Sequence, residues 1–365
     1  GAARRFYLID NAPPRAGQCF RAPGQAEVLR RICREGAAGF YRGEVAEDLI
    51  ESLRALAGVH SMDDMAAVSA ELVTPISADY RGTQLVELSP NGQGITALMM
   101  AKILARLDLG ILEPLGAQRA HLEDEAAKLA YDARNRFVAD PRQAPNASEV
   151  LAHLLSDQTA RALADLIDPG RAMPDPRPLN ESAHRDTVYL TVVAKDRCAV
   201  SLIFSVFHGF GTGRASERFG LLFQNRGAGF SLTPGHPNEA AGGKRPLHTI
   251  IPAMLRRDGR LIIPFGVMGG PYQPTGHIRI LTNLVDNGMD LQAALGAPRS
   301  FAWTDGLELE SGYEPETVDQ LSDIGHRVQR SAAPLGGSPA IWIDQEAGVL
   351  IGASDPRKDG CALGY

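Results

Sequence analysis

The sequence predicts an α+β protein with helices gathered in its first half and strands in its second. Three observations carry this: apolar residues recur at helical spacing as far as position 140, a proline-rich stretch follows, and strand-like runs begin at position 187. The helical patterns span Gln25 to Glu35, Gly43 to Leu56, Gly94 to Leu107 and Ala117 to Asp140. The last should stop at Asp140-Pro141, because proline lacks the N–H of the helical ladder and disfavours a helical residue before it. From Pro141 to Asp186 the chain holds six prolines and one helical segment, Glu149 to Ile167. This stretch reads as a connector ending in an exposed loop, Asp175 to Asp186.

After Thr187, Val188 to Ala194 and Ala199 to Phe207 flank a Lys195-Asp196-Arg197 turn, which predicts a hairpin with Thr187 at its open end. Short strands are expected at Gly220 to Gln224, Ile250 to Leu255, Leu261 to Phe265, Ala340 to Asp344 and Val349 to Ala353. Helices are expected at His277 to Asn287 and Glu314 to Ile324. There is no internal repeat.

At 365 residues, with 44% hydrophobic and 22% charged residues, the chain can bury a substantial core and has no disordered character. A net charge of −6, without Lys/Arg clusters interleaved with aromatics, argues against nucleic acid or an anionic membrane as partner. The longest apolar runs, Ala199 to Phe207 and Leu261 to Phe265, are strand-sized, so a soluble protein acting on a small molecule is expected. Cys19, Cys33, Cys198 and Cys361 lie far apart with no C-x-x-C pair, which predicts buried free thiols rather than a zinc site or disulfide scaffold. No signal peptide is visible, and a cytoplasmic location is expected, with the periplasm as alternative.

Several motifs fail on inspection. Gly242-Gly243-Lys244 is followed by Arg245 where a phosphate loop needs Ser or Thr. Gly209-Phe210-Gly211-Thr212-Gly213 follows a strand, but no helical pattern opens after it, as dinucleotide binding would require. Neither H-E-x-x-H nor G-x-S-x-G occurs, and the nine histidines show no ligand spacing, so neither a metal nor an organic cofactor is expected.

The order Thr187, Phe210-Gly211-Thr212-Gly213, Pro234-Gly235-His236-Pro237-Asn238, Gly243-Lys244-Arg245-Pro246, Gly269-Gly270 and Ser354-Asp355-Pro356-Arg357 resembles the small subunit of the γ-glutamyltranspeptidase family. The preceding segments Ala38 to Ala46, Tyr80-Arg81-Gly82, Ser89 to Gly94 and His121 to Ala130 are similar to the second half of that family's large subunit. The resemblance covers nearly the whole chain. It implies an αββα sandwich, with residues 1–186 the C-terminal part of the large subunit and 187–365 the small one, the two remaining together as a heterodimer after a cut. It also implies a further large-subunit segment ahead of Gly1.

Taken locally, a threonine at a strand start is an ordinary β-branched residue. The resemblance makes Thr187 a nucleophile freed by autocatalytic cleavage of Asp186-Thr187. A freed α-amine, of ordinary pKa about 8, can take the proton from its own Oγ, so no histidine is needed. Gly269-Gly270, by itself a turn signal, becomes the oxyanion hole, and Ser205, otherwise a strand serine, becomes a hydroxyl beside the nucleophile.

The departures bear on substrate. Where the family's γ-glutamyl enzymes hold the α-amino group with Asn, Gln and Asp, this chain has Phe207, Arg226 and Gly229, none able to accept a hydrogen bond from an ammonium through its side chain. The family's Ser-Ser pair becomes His248-Thr249. Arg226 would suit a carboxylate and Phe207 would shrink the pocket, pointing to a small acid amide such as oxamate. Against this, Arg226 could be a solvated surface residue and Phe207 a core residue of the second hairpin strand. The alternatives for the chain are a γ-glutamyl hydrolase or transferase of glutathione-type substrates, or a non-catalytic, truncated family member.

Overall fold

Two hairpins of the main sheet close through turns whose two central residues both sit in the left-handed region: Arg81-Gly82 (φ 51° and 81°) and Asp258-Gly259 (φ 49° and 74°). Paired left-handed residues make the tight turn whose twist matches antiparallel strands, and glycine adopts that backbone without a Cβ penalty. The computed structural model describes residues 1–174, 187–303 and 306–365. The strands are β1 (Ile76–Tyr80), β2 (Thr83–Glu87), β3 (Val188–Val193), β4 (Ala199–Phe204), β5 (Ala253–Arg257), β6 (Arg260–Phe265), β7 (Ser300–Trp303), β8 (Gly306–Leu309), β9 (Val328–Arg330), β10 (Ala340–Asp344) and β11 (Val349–Ala353). A six-stranded antiparallel sheet runs in the order β1-β2-β5-β6-β10-β11. The β3–β4 hairpin packs against β6 and β10, and β7-β8-β9 form a smaller sheet.

The chain divides into two compact units, residues 1–72 with 206–226, and residues 73–205 with 227–365. This is a division in space, separate from the expected cut at 186/187. The first unit holds α1 (Ala2–Tyr7), α2 (Pro23–Glu35), α3 (Ala38–Tyr41), α4 (Gly43–Ala55) and α5 (Met62–Ala66). Its small core joins Val28, Val45 and Leu49 to Phe219 and Phe223. The buried Asp48 carboxylate accepts from the Arg218 and Phe219 N–H groups at 2.9 and 3.0 Å, which ties α4 to that loop.

The second unit holds α6 (Gly94–Leu104), α7 (Ala117–Phe137), α8 (Ala147–Leu154), α9 (Asp157–Ala164), α10 (Gln273–Val285), α11 (Leu291–Gly296) and α12 (Pro315–Asp323). Helix α6 is apolar on nearly every side and is accordingly buried, against β1, β2, α7 and α10. Its Ile95, Leu98 and Leu104 join Leu85, Leu255, Ile263 and Phe265 of the sheet in the main core. Truncating a fully buried leucine such as Leu98 to alanine typically costs about 2–5 kcal/mol. Charge is buried here too: Glu123 of α7 lies between Arg119 and Arg279, at 3.0 and 2.7 Å.

The predicted helices are present with shifted ends, and the hairpin expected over Val188 to Phe207 forms, with its second strand stopping at Phe204. The single helix expected over Glu149 to Ile167 is two, α8 and α9, broken at Ser156, whose side chain caps α9 by accepting from the Thr159 N–H. The strand expected at Gly220 to Gln224 does not form. Gly220 is left-handed (φ 70°) beneath the Phe6 ring, and only an isolated bridge, Ala215 to Leu222, remains. The thiols were expected to be buried, yet all four cysteines are exposed and free, because they fall in loops or on outward helix positions. The expected loop Asp175 to Asp186 lies outside the described residues. No helix among the described residues is long and apolar enough to cross a membrane.

Candidate active site

Thr187 stands one residue ahead of β3, half-buried. The hairpin register pairs Val188 with Phe204, so its continuation by one step sets Thr187 opposite Ser205, the first residue past β4. Alternation then points Tyr189 and Ile203 inward, where they form a buried cluster with Met268 and the partly buried Ile250. Tyr189 Oη bonds Ser201 Oγ at 2.6 Å, and Ser201 Oγ donates to the Phe265 carbonyl at 3.0 Å, fixing the hairpin on β6. Burial pushes the Tyr189 phenol above its ordinary value, so its hydroxyl acts here as a hydrogen-bonding group. Asp186 lies outside the described residues.

Met268 brings Gly269-Gly270 with it. Both glycines are buried and left-handed (φ 124° and 58°), and a Cβ on Gly269 would stand 3.2 Å from Gly336 Cα. The turn therefore has two reasons to be glycine, its backbone conformation and its close approach to Gly336. Among the described residues, neither glycine N–H has a hydrogen-bond acceptor, whereas buried backbone donors are almost always paired.

Gln93 ties this turn to His248-Thr249. Its fully buried amide donates from Nε2 to the Thr249 carbonyl (2.7 Å) and the Gly270 carbonyl (2.9 Å), while Oε1 accepts from Arg134 Nη1 at 2.7 Å. The backbone repeats the link: Gln93 N–H donates to the His248 carbonyl, and His248 N–H to the Asn91 carbonyl. His248 Nδ1 lies 3.0 Å from both Asn91 Nδ2 and the Pro246 carbonyl. Upstream, buried Asp140 accepts from the Arg245 N–H at 2.9 Å and pairs with the Arg245 and Arg142 guanidiniums. Burial alone would raise the Asp140 carboxyl, but these bonds outweigh it and hold it far below the usual range.

Phe207 and Arg226 belong to the other unit and are described there. Phe207 lies beyond β4 rather than in it, buried and left-handed at φ 78°, a conformation uncommon for an aromatic residue. The Arg226 guanidinium lies 5.4 Å from the Phe207 ring centre, and the residue is only 7% exposed, which removes the solvated reading of Arg226. Burial lowers the Arg226 pKa. Gly229, in the second unit, has no room for a side chain: a Cβ would stand 2.8 Å from the Leu247 carbonyl oxygen.

Sequence spacing pointed to no ligand set, and the fold brings His121, Glu125 and His326 together. Their donor atoms are already engaged. His121 Nε2 donates to the Asp168 carbonyl, so its Nδ1 accepts from His326 Nε2 at 2.7 Å. Glu125 takes Lys128 Nζ on one oxygen and the Met173 N–H on the other. The chemistry of the set is that of a hydrogen-bonded cluster. Gln93 was visible in sequence as part of Ser89 to Gly94, but its role shows only once Thr249 and Gly270 are seen on either side of it.

The sequence profile of the gamma-glutamyltranspeptidase family matches residues 2–365. The chain is 34% identical to the oxamate amidohydrolase proenzyme of Klebsiella pneumoniae, over 98% of this chain and 68% of that one. It is 30% identical to the glutathione hydrolase proenzyme of Escherichia coli, over 100% and 65%. The crystal structure of a cephalosporin acylase from Bacillus halodurans superposes with a TM-score of 0.89 at 34% identity, over 99% of this chain and 66% of that one. Fold and similarity together define an amide hydrolase of the N-terminal nucleophile class, of the kind made as a self-processing precursor. The chain belongs to the γ-glutamyltranspeptidase family. It spans about two thirds of the length of the relatives it matches.

Proposed function

We propose that the chain is the catalytic portion of a self-processing amidohydrolase that uses Thr187 as nucleophile on a small amide bearing a carboxylate, of the oxamate type. The observation that carries this is the packing of Met268, the residue ahead of Gly269-Gly270, with Tyr189 and Ile203 of the hairpin that opens at Thr187, which supports a role for all three site residues together.

Processing frees the Thr187 α-amine. Thr187 Oγ then attacks the amide carbonyl carbon while the α-amine takes the hydroxyl proton, and the Gly269 and Gly270 N–H groups receive the oxyanion. Collapse breaks the C–N bond; the proton passes to the leaving nitrogen, ammonia departs, and an ester on Thr187 remains. Water hydrolyses the ester, giving a dicarboxylate from oxamate and restoring the hydroxyl. Ser205, opposite Thr187 in register, is the hydroxyl beside the nucleophile.

Substrate class rests on Gly229, Phe207, Arg226 and the pair His248-Thr249. Gly229 cannot carry the acid that a γ-glutamyl ammonium would need, since a side chain there meets the Leu247 carbonyl. Phe207 offers no acceptor, and Arg226 supplies a fixed cation suited to a carboxylate, as its chemistry and its place in the sequence indicate. His248-Thr249, bound to the turn through Gln93, replace the hydroxyl pair that grips a glutamate α-carboxylate. Similarity to a protein named oxamate amidohydrolase supports the same class.

The test compares ammonia release from oxamate with hydrolysis of γ-glutamyl-p-nitroanilide by the processed protein. Preference for oxamate by about 10²-fold or more in kcat/KM is expected, given that unpaired polar groups in a site cost several kcal/mol. Preference for the γ-glutamyl compound would overturn the substrate assignment and leave a γ-glutamyl hydrolase or transferase.

A further inference from the structure

Where β6 ends at Phe265 the chain leaves the ladder, and the buried Val267 N–H needs an acceptor that no strand supplies. A side chain provides it: Val267 N–H donates to His277 Nε2 at 3.1 Å. Since that nitrogen accepts, Nδ1 carries the proton and donates to Glu87 Oε1 at 2.6 Å. His277 lies on α10 and Glu87 ends β2, and both side chains are completely buried. One histidine thus joins sheet, helix and loop two residues ahead of Gly269.

We propose that Glu87 and His277 are positioning residues that set the Gly269-Gly270 turn for its oxyanion role, by fixing the Val267 amide. The inference rests on the reading of that turn given above. Its support is geometric. Helix α10 seats directly on Val267, because a Cβ on Gly276 would stand 2.6 Å from Val267 Cγ1. On the far side, Gly336 leaves room for the Met268 carbonyl, 2.4 Å from where its Cβ would be, and Met268 N–H donates to the Gly337 carbonyl. The Val267-Met268 segment is held on both sides, so a displacement at Val267 passes to Gly269. An apolar residue at position 277 would fill the same space with less polar burial, but would leave the Val267 amide unpaired. Burial raises the Glu87 carboxyl, and Glu87 Oε2 has no partner among the described residues, so the pair is costly to keep.

The two amide replacements of histidine separate positioning from packing. In His277→Gln the side-chain oxygen can reach the place of Nε2 and still accept from Val267; in His277→Asn the amide nitrogen keeps the bond to Glu87 but abandons Val267. Each precursor is purified, its folded fraction is recorded by circular dichroism, and appearance of the fragment beginning at Thr187 is timed by mass spectrometry. Hydrogen exchange over residues 266–270 is measured alongside.

His277→Asn should process about 10²-fold more slowly than wild type, the usual cost of losing an oxyanion donor, and should exchange faster over 266–270. His277→Gln should stay within about tenfold of wild type. On a substrate that wild type turns over, the loss should fall on kcat rather than KM. Equal processing by folded Asn and Gln variants would overturn the proposal. Should His277→Asn not fold, unchanged exchange over 266–270 and unchanged kcat in Glu87→Gln would likewise overturn it, while faster exchange with lower kcat in that variant supports it. A wild-type precursor left uncut at Thr187 would instead sink the reading of Thr187, a separate failure.

Discussion

Gly266 lies against the face of Tyr189, so closely that a Cβ there would stand 2.5 Å from Tyr189 Cε2. Tyr189 is two residues beyond Thr187, and Gly266 is three residues ahead of Gly269. The contact couples the position of the proposed nucleophile to that of its proposed oxyanion donors. Gly266→Ala should push the hairpin away from β6, costing about 1–3 kcal/mol of stability as an overpacked site and slowing appearance of the Thr187 fragment at least tenfold. Denaturant melts and a processing time course check both.

Gln93 is the second coupling. Gln93→Leu removes two donors from the buried Thr249 and Gly270 carbonyls and an acceptor from Arg134. The expected cost is about 2–4 kcal/mol, from unsatisfied buried groups. Gln93→Glu should be at least as damaging, since its added oxygen faces two carbonyl oxygens. A urea midpoint within error of wild type for either variant would contradict this.

Acid should destabilise the fold through His326. Burial, with Lys128 and His121 nearby, pushes its pKa down to about 3, against an ordinary unfolded value near 6.5. The unfolded chain therefore takes up a proton that the folded chain refuses. Stability from this residue is complete above about pH 6.5 and is lost as pH falls toward 3, by at most about 1.4 kcal/mol per pH unit for one site. His326→Gln should flatten the melting-temperature profile between pH 6.5 and 4; an unchanged slope would refute the assignment.

Asp124 carries the opposite sign. Burial first, then the neighbouring Glu123, raise its carboxyl well above the ordinary value, and neither oxygen has a hydrogen-bond partner among the described residues. A carboxyl raised on folding is favourable below its unfolded pKa, near 3.9, and becomes unfavourable as pH rises. Asp124→Asn should thus melt at or above wild type at pH 8, with the advantage shrinking toward pH 4. A lower melting temperature at pH 8 would contradict it.

Periodicity alone revealed the long helices and the β3–β4 hairpin, because those segments bury one face of a regular repeat. It missed β1, whose alternation of Ile76, Ala78 and Tyr80 with Ser77 and Asp79 is only five residues long, and β2, where buried Thr83 and Glu87 obscure the apolar alternation, although Arg81-Gly82 marks their turn. It also missed β7 to β9, which are three or four residues long. Thr187, Ser205, Gly269-Gly270 and His248-Thr249 were legible only as an ordered series of motifs. Glu87 meets the His277 side chain and Gln93 a backbone carbonyl, each more than 100 residues away in sequence, while His277 holds the backbone of a loop bent by glycines, and no local pattern encodes such partners.

The central claim is that Thr187 becomes an N-terminal nucleophile. Intact-mass spectrometry of the precursor, beside its Thr187→Ala variant, tests it most directly. The account predicts a wild-type fragment whose first residue is Thr187, absent from the variant. A wild-type chain that stays whole under folding conditions, or one cut equally in the variant, would contradict it.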